Sequence, residues 1–256
     1  MQLIDSHTHL YLPEFEDDRE EVVSRALDNN IAKMLLPNIN KDTVEAVLNM
    51  ADNYPGICYP MIGIHPTSIK EDYRQELDAV TASLKKNNFI AIGEIGIDLY
   101  WDSTFVKEQE TAFREQLRIA KKEKLPVVIH SRESLEEIIT IIDDEGTEGL
   151  EGVFHSFTGT IEQAREVINR GFMIGAGGIV TFKNSGLDKI IEAVDIENII
   201  LETDSPYLSP VPKRGKRNES SYLLHIAEKL AELKNLPLKE IARITTANSI
   251  NLFKLQ

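Results

Sequence analysis

Eight short runs of β-branched and apolar residues alternate with longer amphipathic runs along the chain, and this alternation restricts the possible fold more than any other feature. Runs that are apolar at nearly every position are typical of parallel strands covered on both faces. Eight units of strand and helix close into a barrel that is surrounded by its helices. We therefore predict an α/β fold, a TIM-type (β/α)₈ barrel. The predicted strands are Leu3–His7, Lys33–Leu36, Cys58–Ile64, Ile90–Glu94, Val127–His130, Gly152–His155, Phe172–Ala176 and Ile199–Glu202.

The amphipathic runs have the period expected of helices that cover such a barrel, and one follows each strand. A length of 256 residues is typical of one barrel, and no linker or low-complexity tract divides the chain. We therefore expect a single barrel domain over residues 1–256, with an appended C-terminal helix at Leu238–Phe253. The predicted barrel helices are Asp17–Asn30, Asp42–Tyr54, Tyr73–Asn87, Thr104–Lys124, Ser134–Glu145, Ile161–Arg170, Leu187–Val194 and Ser220–Lys234.

Six residues that can bind a metal ion follow or end the predicted strands, where the active sites of such barrels lie. One open catalytic metal needs about three or four protein ligands, so six are enough for two ions that share a bridging carboxylate. Imidazole and carboxylate groups suit divalent ions such as Mg, Mn or Zn, among which the sequence does not choose. The six residues are His7, His9, Glu94, His130, His155 and Asp204.

The alternation of side chains along a strand gives these residues a predicted direction. Asp5, His7 and His9 are two residues apart, so we expect all three on one face, where the two histidines can bind one ion. By the same rule Glu202 shares a face with Asp204, and we expect it to support a metal ligand.

The composition limits the remaining possibilities. A net charge of −14 argues against a wide basic surface that follows a nucleic-acid duplex. The first residues lack the basic and apolar segments of a signal peptide, and no apolar run reaches the ~18 residues of a membrane span. The single cysteine, Cys58, excludes an internal disulfide and is expected to be buried. We expect a cytoplasmic protein with no membrane contact and find no sign of an obligate protein partner.

Seven motifs, in order along nearly the whole chain, resemble the TatD family of metal-dependent deoxyribonucleases, within the wider amidohydrolase-like barrels. Many amidohydrolases bridge their metals with a carboxylated lysine at the end of the fourth strand, and Glu94 stands in that place here, as in TatD proteins. One departure is Asn218-Glu-Ser-Ser221, where many family members are expected to have a proline. The motifs are Asp5-Ser-His-Thr-His-Leu10, Gly63-Ile-His-Pro66, Gly93-Glu-Ile-Gly-Ile-Asp98, Ile129-His-Ser-Arg132, His155-Ser-Phe-Thr-Gly159, Leu201-Glu-Thr-Asp-Ser-Pro-Tyr207 and Arg214-Gly-Lys-Arg-Asn218.

The resemblance implies how the six residues divide between two metals. His7, His9 and Asp204 would hold one ion, His130 and His155 the other, and Glu94 would bridge them. It also implies hydrolysis of DNA, as single strands or at duplex ends, with release of nucleotides from a 3′ end. Asp204 is then expected to accept the proton of the attacking water.

Four further residues are candidates for contact with the substrate. His65 follows the third strand and either contacts a phosphate or supports a ligand. Arg132 follows the fifth strand, and Lys216 and Arg217 belong to the basic run Lys213–Arg217 after the eighth. Such a run can also be only a solvated surface. Three aromatic residues on the mouth loops can stack on unpaired bases; they are Tyr100, Trp101 and Phe157.

Two other functions remain open from the sequence. A hydrolase of amides, esters or lactones, including an aminoacyl-tRNA deacylase, would use the same metals on a different bond. A non-catalytic binding protein would keep the barrel alone, but the presence of all six candidate ligands argues against it. The basic run after strand eight favours a phosphate-containing substrate.

Overall fold

The eight predicted strands are present in the computed structural model, which describes residues 1–256, and they follow one another in chain order. Strands β1 to β3 form one parallel sheet and strands β4 to β8 another. Bridges from Thr8 to Ser205 and from Ile62 to Ile92 join the two sheets and close the barrel. The strands are β1 Leu3–Asp5, β2 Ile31–Leu36, β3 Cys58–Pro60, β4 Ile92–Asp98, β5 Val127–Arg132, β6 Gly152–Phe154, β7 Phe172–Ala176 and β8 Ile199–Leu201.

One helix follows each strand, which confirms the predicted (β/α)₈ barrel. The ninth helix is the predicted C-terminal addition, and it packs against β1 and β8. No helix is long and apolar enough to cross a lipid bilayer. The helices are α1 Arg19–Asp28, α2 Val44–Asn53, α3 Tyr73–Leu84, α4 Val106–Glu123, α5 Leu135–Glu145, α6 Ile161–Asn169, α7 Leu187–Ala193, α8 Leu223–Lys234 and α9 Leu238–Phe253.

The end of α9 and the last residues plug the amino-terminal end of the barrel. Leu252, Phe253 and Leu255 pack with apolar residues from seven strands or their edges, including Ile4 and Ile200. On each strand that carries a candidate site residue, the residue of this cluster comes before it along the chain. The C-terminal segment therefore closes the barrel at the end opposite the site, and the polar side chains can be confined to the other mouth.

Most other apolar residues lie between the strands and the surrounding helices in one continuous core. Cys58 at the start of β3 is buried in this core, as predicted, and burial raises the pKa of its thiol to about 12. A thiol in this environment is unreactive. Cys58 therefore has a packing role and is not a candidate nucleophile or metal ligand.

Candidate metal centre

Strands β4 and β5 and the segments after β1, β6 and β8 bring all six candidate ligands together at the carboxyl-terminal mouth of the barrel. Five of them line a cavity of about 430 Å³, and His7 is fully buried with its Nε2 3.2 Å from Glu94 Oε2. Three groups of donors have their ligand atoms within 4.8 Å of one another. The groups are His7, His9 and Glu94; His7, His155 and Asp204; and His65, Glu94 and His130.

Glu94 lies at the centre of this arrangement, although the strand does not end there as predicted. Strand β4 continues to Asp98, and its register with β5 shifts between Gly93 and Ile95, so that Glu94 is an extra, bulged residue. A bulge re-aims a side chain that regular alternation would direct elsewhere. The predicted end of the fourth strand at Glu94 is thus wrong, and Glu94 is positioned from within β4.

The two carboxylate oxygens of Glu94 face two separate sets of histidine nitrogens. Oε2 lies 3.2 Å from His7 Nε2 and 3.7 Å from His9 Nε2. Oε1 lies 2.9 Å from His130 Nδ1 and 3.6 Å from His155 Nε2. A carboxylate in this position has one oxygen for each of two metal ions.

The electrostatics of Glu94 depend on these histidines. Its side chain is almost fully buried, which on its own favours the neutral acid. The nearby rings of His65, His7 and His155 outweigh that effect and hold the pKa of Glu94 well below its usual value. The carboxylate is therefore ionised, and a buried carboxylate requires positive charge around it.

Asp204 is the third candidate ligand beside His7 and His9. Its Oδ1 lies 3.6 Å from His9 Nε2 and 3.9 Å from His7 Nε2. Burial raises its pKa, but His155, His9 and His7 together bring the pKa below the usual value. The Asp204 backbone has a φ of 56° and donates from its N–H to the carbonyl of His7 at 2.9 Å. A left-handed aspartate just after a strand is a strained position of the kind found at functional sites.

Tyr11, which was not predicted from the sequence, fixes the orientation of His9. The Tyr11 hydroxyl donates to the carbonyl of Pro37 at 2.7 Å, because that oxygen can only accept. The hydroxyl must then accept from His9 Nδ1, which lies 2.9 Å away. A neutral imidazole has one N–H, so His9 Nε2 carries a lone pair. That nitrogen lies 3.2 Å from His7 Nε2, a separation suited to a cation between them.

Carboxylates lie beside the outer nitrogens of two further histidines, His130 and His155. Asp98 Oδ2 lies 2.9 Å from His130 Nε2, which leaves Nδ1 of that ring to face Glu94. Glu202 Oε1 lies 3.2 Å from His155 Nδ1, as expected for a residue that supports a ligand. Burial opposes protonation of His155, but Glu202, Glu94 and Asp204 raise its pKa to about 10. The carboxylates thus favour positive charge at this ring.

The close approach of Glu202 to β7 explains one glycine there. A side chain at Gly175 would place its first carbon 2.6 Å from Glu202 Oε2, so only glycine leaves room for this carboxylate. Glu202 also accepts a hydrogen bond from the backbone N–H of Ser156, next to His155. Strands β7 and β8 and the segment after β6 therefore hold the carboxylate behind His155.

The expectation that Asp5 shares a face with His7 and His9 is wrong. The chain bends at Ser6 and His7, directly after β1, and this interrupts the alternation. The buried Asp5 carboxylate instead accepts hydrogen bonds from the Thr203 N–H at 2.9 Å and the Thr203 hydroxyl at 2.6 Å. Asp5 ties the end of β1 to the segment that carries Asp204.

Arg217 does not support the prediction of a phosphate contact. Its guanidinium forms two hydrogen bonds with the Asp18 carboxylate, at 2.8 and 2.7 Å, and donates to the Glu14 carbonyl at 2.6 Å. It also lies over the ring of Phe15, 4.5 Å from its centroid. Lys216 is exposed, and neither residue lines the cavity. The basic loop therefore packs partly on the segment before α1, and a phosphate contact of Lys216 stays a prediction.

Arg132, in contrast, lines the cavity beside the candidate ligands. Its guanidinium stacks on Tyr100, 3.8 Å from the ring centroid, and lies 5.2 Å from that of Trp101. Trp101 and Tyr207 also line the cavity and are 68% and 49% exposed. Phe157 is buried in the core, so it cannot stack on a base as expected.

Comparisons with known proteins agree over nearly the whole chain. A family model described as TatD related DNase matches residues 4–254. The uncharacterized metal-dependent hydrolase YabD of Bacillus subtilis is 37% identical over 254 residues, 99% of each chain. The 3′-5′ ssDNA/RNA exonuclease TatD of Salmonella typhimurium is 32% identical over 260 residues, again 99% of each. The solved structure of YjjV, a TatD homolog from Escherichia coli, has a TM-score of 0.93 at 29% identity and covers 99% of this chain and 98% of its own.

The contact between Tyr11 and His9 leads to a prediction about metal affinity. Tyr11→Phe removes the acceptor of His9 Nδ1–H and leaves the ring free to rotate or change tautomer. Loss of such a supporting contact costs roughly 10–100-fold in metal affinity. Calorimetric titration of the metal-free protein with Mn²⁺ or Zn²⁺ measures it. Tyr59→Phe is the matched control, because that hydroxyl contacts Lys33 away from the cavity; equal affinities in the two variants would contradict the role of Tyr11.

Proposed function

The chain belongs to the TatD family of metal-dependent hydrolases, and we propose that it is a divalent-metal-dependent phosphodiesterase that removes nucleotides from the 3′ ends of DNA. The observation that carries this proposal is the buried Glu94 carboxylate, whose two oxygens face two separate groups of histidine nitrogens. A two-metal site of this kind suits phosphoryl chemistry. The Salmonella relative, named as an exonuclease on single-stranded DNA and RNA, supports the choice of substrate.

We assign the ligands to two positions that share Glu94. His7, His9 and Asp204 would hold one ion, and His130 and His155 the other. The distances of Asp204 from His7 and His9, and of Glu94 Oε1 from His130, support this division. When bound, two divalent ions stabilise the charge on a phosphate and lower the pKa of a water between them.

The residues of the chain then have distinct tasks in hydrolysis. Asp204, ionised at neutral pH and open to the cavity, accepts the proton of the attacking water. Glu94 keeps both groups of ligands in place with one side chain. No covalent intermediate with the enzyme is needed, because Cys58, the single cysteine, is buried in the core and no serine contacts a histidine of the site as a nucleophile would.

The mouth of the cavity suits an unpaired end of nucleic acid. Trp101 and Tyr207 are exposed aromatic rings beside the candidate metal ligands, and aromatic rings bind unpaired bases by stacking. Arg132 offers a guanidinium in the same cavity, and guanidinium groups bind phosphates with two parallel hydrogen bonds. The acidic chain needs only such local contacts to hold a strand end, and a wide basic surface is unnecessary.

The first experiment is turnover of end-labelled DNA. Mg²⁺-, Mn²⁺- or Zn²⁺-loaded protein is mixed with single- and double-stranded DNA labelled at either end, and His155→Ala serves as the control. Stepwise shortening from the 3′ end that chelation abolishes is the expected result. Hydrolysis of simple lactones, amides or aminoacyl esters without cleavage of DNA would favour the alternative hydrolases. Binding of DNA without any turnover would favour a non-catalytic protein.

Asp204→Asn tests the general base in this assay. The amide retains a carbonyl oxygen that can face the metal position but cannot accept the proton. Turnover is expected to fall on the order of 10²-fold or more, the usual contribution of general base catalysis. The measurement is kcat with saturating metal, together with the metal content of the variant. Near-normal kcat at full metal content would contradict the role of Asp204.

Arg132→Ala tests how the substrate is held. Loss of one phosphate contact should raise KM for a short single strand and reduce the slope of log KM against log salt by about 0.7. Arg217→Ala is a matched control, because Asp18 already occupies that guanidinium, and Lys216→Ala tests the exposed lysine of the same loop. An unchanged KM and slope in Arg132→Ala, with a change in Arg217→Ala, would place the phosphate contact on the basic loop instead.

A further inference from the structure

His65 is the one histidine at the mouth that the ligand assignment leaves unused. It follows β3, lines the cavity, and has its Nε2 3.4 Å from Glu94 Oε1. Its ring lies 4.5 Å from the ring of His130, centroid to centroid. Distance alone would make His65 a ligand of the same ion as Glu94 and His130, since the three donor atoms lie within 4.8 Å of one another.

The hydrogen bonds of the other ring nitrogen argue against that role. His65 Nδ1 accepts from the backbone N–H of Thr67 at 3.2 Å and lies 2.7 Å from the Thr67 hydroxyl. A backbone N–H can only donate, so Nδ1 must carry a lone pair. A neutral imidazole then has its one proton on Nε2, the nitrogen that faces the cavity. A protonated nitrogen cannot bind a metal ion.

The local backbone makes this arrangement stable. His65 is the residue before a single 3₁₀ turn, Pro66–Ser68, and its side chain caps the N–H of Thr67 in that turn. The His65 N–H donates to the Ile39 carbonyl at 2.8 Å, which anchors the residue to the segment after β2. The hydrogen bond from Thr67 thus fixes the orientation of the His65 ring, and the opposite side of the ring, with Nε2–H, faces the cavity.

The candidate ligands have the opposite arrangement. The outer nitrogen of His9 donates to Tyr11, so its inner nitrogen presents a lone pair to the site. The outer nitrogen of His130 donates to Asp98, so the inner nitrogen, 2.9 Å from Glu94 Oε1, is the one that can exchange its proton for a metal ion. At His65 the outer nitrogen accepts, so the inner nitrogen donates. The partner of the outer nitrogen therefore separates His65 from His9, although the two rings lie at similar distances from Glu94, 3.4 and 3.7 Å.

We propose that His65 is a hydrogen-bond donor to the substrate phosphate, through Nε2–H, and not a metal ligand. This inference rests on the proposed phosphodiesterase function. The donor contacts a non-bridging phosphate oxygen, keeps its proton throughout, and stabilises the negative charge that the oxygen carries during hydrolysis. Without substrate, the same nitrogen lies 3.4 Å from Glu94 Oε1.

The test compares His65→Gln and His65→Ala with His130→Ala. Metal content and affinity are measured by titration of the metal-free proteins with Mn²⁺ or Zn²⁺, and inorganic phosphate binding is measured on the loaded proteins. Both His65 variants should bind metal as the wild type does, within about threefold, whereas His130→Ala should lose one equivalent. Phosphate affinity should fall in His65→Ala and be partly kept in His65→Gln, whose amide can donate. Removal of one such donor should lower kcat for DNA about 10²-fold.

The tautomer can also be read directly in the wild-type protein. Long-range ¹H–¹⁵N correlation spectra of the metal-free and Mg²⁺-loaded protein should show His65 protonated at Nε2 in both. Loss of one metal equivalent in His65→Ala, unchanged phosphate affinity, or a proton on Nδ1 would each overturn the proposal. None of these readouts needs nuclease activity, so a failure of the proposed DNA hydrolysis would be distinguishable from a failure of the role of His65.

Discussion

The whole mouth of the barrel is organised by one buried carboxylate. Glu94 lies within a strand, surrounded by histidine rings, where an isolated negative charge would be too costly to bury. Its two oxygens face different sets of rings, and histidines of both sets hold its pKa below the usual value. The bulge in β4 that aims Glu94 inward and the closed barrel that brings the rings around it are therefore parts of one arrangement.

A second layer of contacts determines what each ring can do. Tyr11, Asp98 and Glu202 face the outer nitrogens of three histidines, while the Thr67 N–H faces that of His65. In a neutral imidazole, which has one proton, such a partner decides which nitrogen offers a lone pair, as at His9 and His65. The distances from the histidine nitrogens to Glu94 do not by themselves distinguish a metal ligand from a hydrogen-bond donor. The chemistry of the site thus depends on residues that do not reach the reacting atoms.

The sequence predicted the fold well because strand and helix periods are local properties. It also identified the set of candidate ligands, since strand ends of a barrel meet at one mouth. It could not predict the bulge at Glu94, which depends on the register between β4 and β5. It could not show that Arg217 is bound by Asp18, a residue 199 positions away. The contact of the Tyr11 hydroxyl with His9 was also not predicted, because nothing in the sequence around Tyr11 indicates where its hydroxyl lies.

The bridging role of Glu94 is tested most directly by an anomalous-scattering map of crystals grown or soaked with Mn²⁺. We predict two peaks, one beside each oxygen of Glu94, each about 2.0–2.3 Å from its oxygen. His7 and His9 should contact one peak, and His130 and His155 the other. A single peak, or two peaks of which one lies away from Glu94, in crystals saturated with metal would contradict a shared carboxylate and with it the two-metal site.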